Sequence, residues 1–260
     1  MAAGSLPLKE IEVSTIAIGD VHGNLVALDD LLKELTPEIK SEDTIVFLGD
    51  YIDRGPDSKA CIQRIIEFRR NAKGRVVTLL GNHEQWLLRT YADHTRHSWL
   101  LGMEALPTVL SYSPPAAARL KDAVEKAGSE LFMGRTSLPY EVFFQAVPPE
   151  HMTFLTDLET FCRTADAVCA HGGLNPGGGR VEEQRSNDLV WGNDGFPERY
   201  RGEELVVYGH ANNPVLDAKG WPHPRVLERT YGLDTISYGV LTALQLPEKR
   251  VFQSGPGPSL

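Results

Sequence analysis

Five times along this chain a short β-branched run stops at glycine or histidine and gives way to a polar cluster. Val13 to Ile18 runs into Gly19-Asp20-Val21-His22-Gly23-Asn24, and Thr44 to Leu48 into Gly49-Asp50-Tyr51-Ile52-Asp53-Arg54-Gly55-Pro56. Arg75 to Leu80 runs into Gly81-Asn82-His83-Glu84. Two weaker copies follow, Ala167 to Ala170 into His171-Gly172-Gly173 and Leu205 to Tyr208 into Gly209-His210. Such runs read as buried strands, each ended by a residue that lets the backbone turn. Between the first three lie helical faces, one of Leu25, Leu28, Leu31, Leu32 and Leu35 ended by Pro37, the other from Ser58 to Arg70. Strand and helix in alternation predict an α/β layered core, with sites at the carboxyl ends of the strands, where the polar clusters sit.

The middle of the chain is different. Residues 92–150 show no core strand and are punctuated by six prolines from Pro107 to Pro149, so they read as a helical insertion that caps or flanks the site. Met152 to Phe161 reads as a further short helix, and Thr235 to Leu246 with Val251-Phe252 as closing strands. The expected organisation is one domain over 1–254 with a disordered tail at 255–260. Gly177-Gly178-Gly179 lacks the lysine and hydroxyl residue that would make it a phosphate loop.

A net charge of −9 argues against a nucleic-acid binder, which needs a basic face to displace counterions. No apolar run approaches the roughly eighteen residues of a membrane span, and Met1 to Glu10 lacks the pattern of a signal peptide. The three cysteines (Cys61, Cys162, Cys169) form no disulfide framework. These features together give the expectation of a cytoplasmic protein.

The strand ends deliver Asp20, His22, Asp50, Asn82, His171 and His210. Asp20 and His22, two apart in an extended segment, can project the same way, and the two oxygens of Asp50 can bridge two ions. A mixed nitrogen and oxygen donor set without thiolate suits Mn, Fe or Zn. Two such ions about 3.5–4 Å apart can hold a bridging hydroxide and polarise a phosphoryl oxygen. His83 can then protonate the leaving oxygen, Asp53 can hold the His83 ring and favour its charged form, and Arg54 can grip phosphate oxygens in a bidentate fork.

These segments resemble the three phosphoesterase motifs of PPP-type serine/threonine protein phosphatases, of the calcineurin-like metallophosphoesterase superfamily. His171-Gly172-Gly173 and Gly209-His210 match the last two metal motifs, and the match runs in order from Thr15 to Tyr238. The resemblance implies a four-layer αββα sandwich. It further implies that Asp20, His22 and Asp50 hold one metal, while Asp50, Asn82, His171 and His210 hold the other. The flavour is that of the bacterial and phage-like branch, on Asn82-His83-Glu84-Gln85 and Trp99 to Glu104. Asp53 and Glu84 favour that side over the sister bis(5′-nucleosyl) tetraphosphatases. One departure stands out. Asn193, two residues after Trp191, occupies a place where bacterial relatives usually carry a second phosphate-binding arginine. Arg199, Arg201 and Arg185 are the candidates to replace it, and Arg199 is taken as the substrate-binding residue.

The expected function is therefore a phosphomonoesterase with two divalent metal ions, Mn²⁺ first and Fe or Zn as alternatives. A metal-bridging hydroxide attacks directly and His83 is the general acid. The expected substrate is a phosphoprotein, on serine or threonine and also on tyrosine, or a small phosphoester. The alternative is a bis(5′-nucleosyl) polyphosphate hydrolase or phosphodiesterase, supported by Asn193. A third reading is a catalytically silent module that binds phosphorylated partners.

Overall fold

A computed structural model describes residues 13–133 and 136–255. The expectations for Met1 to Glu10 and for the tail fall outside these residues, apart from Gly255, whose N–H donates to Asp30.

The first half runs β1 (Thr15–Ile18), α1 (Leu25–Leu35), β2 (Thr44–Phe47), α2 (Ser58–Asn71), β3 (Arg75–Thr78) and α3 (Asn82–Ala92). Residues 92–150 supply α4 (Ser98–Gly102), α5 (Leu106–Tyr112), α6 (Pro114–Ala127), α7 (Glu130–Met133) and α8 (Glu141–Phe144). Then come α9 (Pro149–Thr156), β4 (Cys162–Arg163), β5 (Val168–Cys169) and α10 (Ser186–Trp191). The chain closes with β6 (Val206–Tyr208), β7 (Val215–Leu216), β8 (Pro222–His223), β9 (Arg225–Leu227), β10 (Thr230–Gly232), β11 (Thr242–Leu246) and β12 (Arg250–Gln253).

Two five-stranded mixed sheets face each other, in the orders β12-β11-β1-β2-β3 and β4-β5-β6-β10-β9. In the first, β1, β2 and β3 are parallel and β11 returns antiparallel to β1. Both faces of this sheet are covered, which is why its strands read as continuous apolar runs. Side chains alternate across it. Ile16, Ile18, Ile45 and Phe47 point to the helices, with Leu28, Leu31, Leu32 and Leu35 of α1 and Ile62, Ile65 and Ile66 of α2 in the same core. Ala17, Val46, Leu48 and Val77 point inward to meet Cys169, Val207 and Leu233 of the second sheet. Burying each leucine of α1 contributes about 1.5–3 kcal/mol relative to exposure. The outer face of the second sheet, through Val168, Ala170 and Val206, is covered by Leu174, Val181 and Leu189. This fourth layer is thin, formed by α10 and irregular chain.

Two expected boundaries moved. The helix expected over Met152 to Phe161 is α9, beginning three residues earlier, because Pro149 has φ pre-set for the first helical position. Of the segment Thr235 to Leu246, only the last five residues form a strand, while Ile236–Tyr238 is a 3₁₀ turn ended by Gly239 at φ 74°. All three cysteines are free and buried. No helix among the described residues is long and apolar enough to cross a membrane.

Candidate metal centre

The parallel order of β1, β2 and β3 brings the first three polar clusters to one edge, and the second sheet adds His171 after β5 and His210 after β6. Packing there is close. A Cβ on Gly81 would lie 2.1 Å from Asp50 Oδ1, and one on Gly209 would lie 2.0 Å from Asp20 Oδ1. Glycine at these two positions is what lets the loops approach the carboxylates. Five non-glycine residues of the clusters (His22, Asp50, Asp53, Arg54 and His210) have φ between 43° and 70°. Such backbone costs on the order of 1–3 kcal/mol per residue and gathers at functional sites.

Asp50 stands at the middle. Its Oδ2 lies 3.5 Å from His22 Nε2 and 3.8 Å from His83 Nε2, and its Oδ1 lies 3.3 Å from His171 Nε2. Two groups of potential ligands share it, His22–Asp50–His83 and Asp50–His171–His210, each with ligand atoms within 4.8 Å of one another. Asn82 Oδ1 lies 2.9 Å from both His171 Nε2 and His210 Nδ1. The ring orientations are fixed from behind. His22 Nδ1–H donates to the Ile52 carbonyl (2.9 Å) and His171 Nδ1–H to the Leu48 carbonyl (3.0 Å), so each presents Nε2 to the centre.

Three observations fit this donor set to cations. Asp20 Oδ1 and His22 Nε2 are buried without any hydrogen-bond partner. Among the described residues no Lys or Arg forms an ion pair with Asp20, Asp50 or Glu84, although all three are buried. The charges are also poised for it. Burial, with the Asp234 and Asp50 carboxylates nearby, pushes the Asp20 carboxyl well above its usual range. Burial alone would lower the His171 imidazole, yet Asp50, Asp20 and Glu84 push it up to about 10. Burial holds His22 well below its ordinary value, and burial with the His171 charge brings His210 down to about 4, so both rings stay neutral. The protonated His171 ring supplies charge that a cation would bring, and the buried carboxylates with the neutral His22 and His210 rings are donors suited to divalent ions.

His83 is held by Asp53, whose carboxylate accepts from His83 Nδ1 (2.8 Å), Trp99 Nε1 (2.9 Å) and Thr108 Oγ1 (2.6 Å). Burial lowers the His83 imidazole, but the Asp50 and Asp53 carboxylates outweigh it and the net shift is upward. The Arg54 backbone N–H donates to the Glu104 carbonyl (3.2 Å), and among the described residues its guanidinium has no ion pair. It is electrostatically close to His22, His210 and Asp234.

Arg199 is exposed, with its side chain against Gly195. It does not line the 390 Å³ cavity beside His210, which Gly172, Trp191, Asn193 and Asn213 help to wall. Arg185 pairs with Asp188 (2.9 Å), and Arg201 donates to the carbonyls of Glu198 and Tyr200. Asn193 helps to wall this cavity, and none of the three arginines lines it; Arg185 is held on Asp188, the carboxylate that Asn193 also meets.

The family model for calcineurin-like phosphoesterases matches residues 13–239. The chain belongs to this family. The phosphoesterase is 27% identical to a symmetrical bis(5′-nucleosyl)-tetraphosphatase of Pectobacterium carotovorum, over 92% of this chain and 94% of the relative. It is 25% identical to a zinc-dependent endopolyphosphatase of Saccharomyces cerevisiae, over 65% of this chain, and spans about half (52%) of that relative's length. Its fold matches a crystal structure of a candidate diadenosine tetraphosphatase with a TM-score of 0.61 at 21% identity, covering 96% of each chain.

Sequence reasoning missed several residues of this phosphoesterase's site. Trp99 is fully buried against Phe143 and also donates to Asp53. Thr108 carried no signal at all. Asp234 is buried, with Oδ2 accepting from the Asn212 N–H (2.7 Å) and Oδ1 unpartnered. Its place directly after β10, at the same edge as the other clusters, was the signal available.

Proposed function

We propose that this metal-dependent phosphoesterase hydrolyses bis(5′-nucleosyl) polyphosphates. The carrying observation is the end-to-end match to a bis(5′-nucleosyl)-tetraphosphatase, which moves the alternative reading ahead of the protein phosphatase expected from the motifs. The site supports it in one respect. Among the described residues Arg54 is an arginine close to the centre without an ion pair, and no arginine lines the cavity that Asn193 helps to wall. A phosphate clamp of that size suits a polyphosphate chain that gains further contacts elsewhere.

Asp20, His22 and Asp50 would hold one cation, and Asp50, Asn82, His171 and His210 the other, with Mn²⁺ the first expectation and Fe or Zn compatible with the same donors. Divalent ions there would supply Lewis-acid charge and a nucleophile at neutral pH. Arg54 takes the equatorial oxygens of the phosphoryl group and offsets their growing charge. Asp53, anchored by Trp99 and Thr108, keeps the His83 Nδ1–H pointing back, so that Nε2 is the atom that gives a proton to the leaving oxygen.

A second reading, phosphoprotein hydrolysis, draws support from the His83–Asp53 pair itself. A serine or threonine alkoxide is a poor leaving group that needs a proton, whereas a nucleotide phosphate leaves readily without one. The intact ligand set and the strained backbone beneath it speak against a silent binding module.

The test is chromatography of nucleotides after incubation of Mn²⁺-loaded protein with diadenosine tetraphosphate. Release of adenine mononucleotides is expected. Turnover of p-nitrophenyl phosphate with the dinucleotide left intact would overturn the proposal.

A further inference from the structure

A second large cavity lies outside the metal centre. It measures 610 Å³ and sits between α3, α4 and α7, lined by Trp86, Arg89, Arg96, Leu101 and Phe132 among others. That volume is in the range of small-molecule sites. The metal-ligand reading assigns it nothing, and it lies where the helical segment 92–150 meets α3.

Its position relative to the centre follows from helix geometry. Asn82, Trp86 and Arg89 are at i, i+4 and i+7 of α3, so they form one stripe along the same face. The stripe begins at a candidate ligand and reaches Arg89 about 10 Å further along the axis. Trp86 packs against Trp191 with ring centroids 4.7 Å apart, and Trp191 in turn lies 6.2 Å from the His210 ring. An aromatic ridge thus separates the metal centre from the cavity, at the distance a short phosphate chain spans.

Its lining is what a nucleoside with attached phosphates would need. Phe132 is 79% exposed and Leu101 41% exposed, large apolar side chains that no core covers. Trp86 is half-buried, with a face left toward the cavity. Arg89 donates to the neutral Asn187 Oδ1 (3.2 Å) and forms no ion pair among the described residues. Among the described residues the Arg96 guanidinium pairs with Asp93 alone, at 3.4 Å on the exposed rim. In a chain of net charge −9, two lightly compensated arginines beside two aromatic rings are a local exception. Aromatic side chains stack on bases, and arginine forks grip phosphate.

We infer that this cavity is the subsite for the distal nucleoside of the substrate, with Phe132 and Trp86 against the base and Arg89 and Arg96 on the phosphates nearest it. The inference rests on the proposed function and adds to it the place where substrate length is read. It also gives the segment 92–150 a role in specificity.

The experiment compares Phe132→Ala and Arg89→Ala with the parent protein, all loaded with Mn²⁺. Phe132 is so exposed that its truncation leaves the fold intact. KM for diadenosine tetraphosphate should rise about tenfold more than KM for p-nitrophenyl phosphate, the usual worth of one stacking contact, with kcat for the dinucleotide little changed. Equal KM changes on both substrates would overturn the inference while leaving the proposed function standing. If the parent protein does not cleave the dinucleotide at all, the proposed function fails, and the subsite is then read from ATP as an inhibitor of p-nitrophenyl phosphate hydrolysis. Competitive inhibition weakened about tenfold by Phe132→Ala would support the cavity as a nucleotide site. Absence of inhibition, or a KM effect confined to phosphopeptides, would overturn it in favour of a peptide groove.

Discussion

In the proposed reaction, His83 and Asp53 divide the work of a proton donor between a ring and the carboxylate that aims it. The pair makes the role of the proton measurable. His83→Asn should cost about 10²–10⁴ in kcat on phosphoserine, the usual worth of a general acid, and clearly less on diadenosine tetraphosphate or aryl phosphates. Equal losses on every leaving group would assign His83 to metal binding, as its place in the His22–Asp50–His83 group allows. The sign of the pH dependence is also set. Because the Asp50 and Asp53 carboxylates raise the His83 imidazole, removing one charge by Asp53→Asn lowers it. The alkaline limb of kcat on alkyl phosphates should therefore move to lower pH, by about one unit or more. A limb that stays in place would show that another group titrates there. The candidate ligands were legible in the sequence because each sits within a few residues of a strand end. Trp99 and Thr108 were not, because their contacts to Asp53 span 46 and 55 residues.

At the scale of elements, α3 joins the loops into one unit. Its Glu84 side chain accepts from the backbone N–H groups of Asp50 (3.0 Å), Tyr51 (2.8 Å), Ile52 (3.2 Å) and Gly81 (3.2 Å). Burial and the nearby Asp50 carboxylate push this carboxyl up to about 7, so its ionised form depends on those donors. These four bonds tie the Asp50 loop to the start of α3. Glu84→Ala strands four buried donors and should destabilise the protein by about 3 kcal/mol or more, read as a lower urea midpoint. A shift below about 1 kcal/mol would mean that water replaces the carboxylate. Strands were the most readable elements, since β-branched runs with glycine stops match buried parallel strands. Of the helices of residues 98–144, the pattern from Ala116 to Ala127 is legible and forms most of α6, while the others were legible only as a helical region. Their prolines marked breaks, but which helix would touch Asp53 or Arg54 depends on packing that no local pattern encodes.

The whole molecule is a pair of sheets whose shared edge gathers carboxylates and imidazoles from both halves of the chain. Cations bound there would tie the first sheet to the second through Asp50, His171 and His210. Chelation should therefore lower Tm as well as abolish activity. At metal concentrations about a hundredfold above Kd, each site adds about 2.7 kcal/mol, so Tm should fall on the order of 5–10 °C. An unchanged Tm after complete metal removal would contradict a site that spans the two sheets. The acidic balance takes on a different meaning at this scale. In the proposed centre Asp20, Asp50 and Asp53 would stand beside bound cations, so a net charge of −9 argues against a general nucleic-acid binder without excluding an anionic phosphoester. Fold and family were readable from five motifs in order. Substrate class was not, because the motifs carry the proposed metal and phosphoryl contacts, which both substrate classes share.

The most direct measurement is the ratio of kcat/KM for diadenosine tetraphosphate to that for a phosphoserine peptide, on one Mn²⁺-loaded preparation. The account predicts a ratio of about ten or more, worth ~1.4 kcal/mol or more of transition-state binding. A ratio below one would return the protein to the phosphatase side and contradict the proposed function.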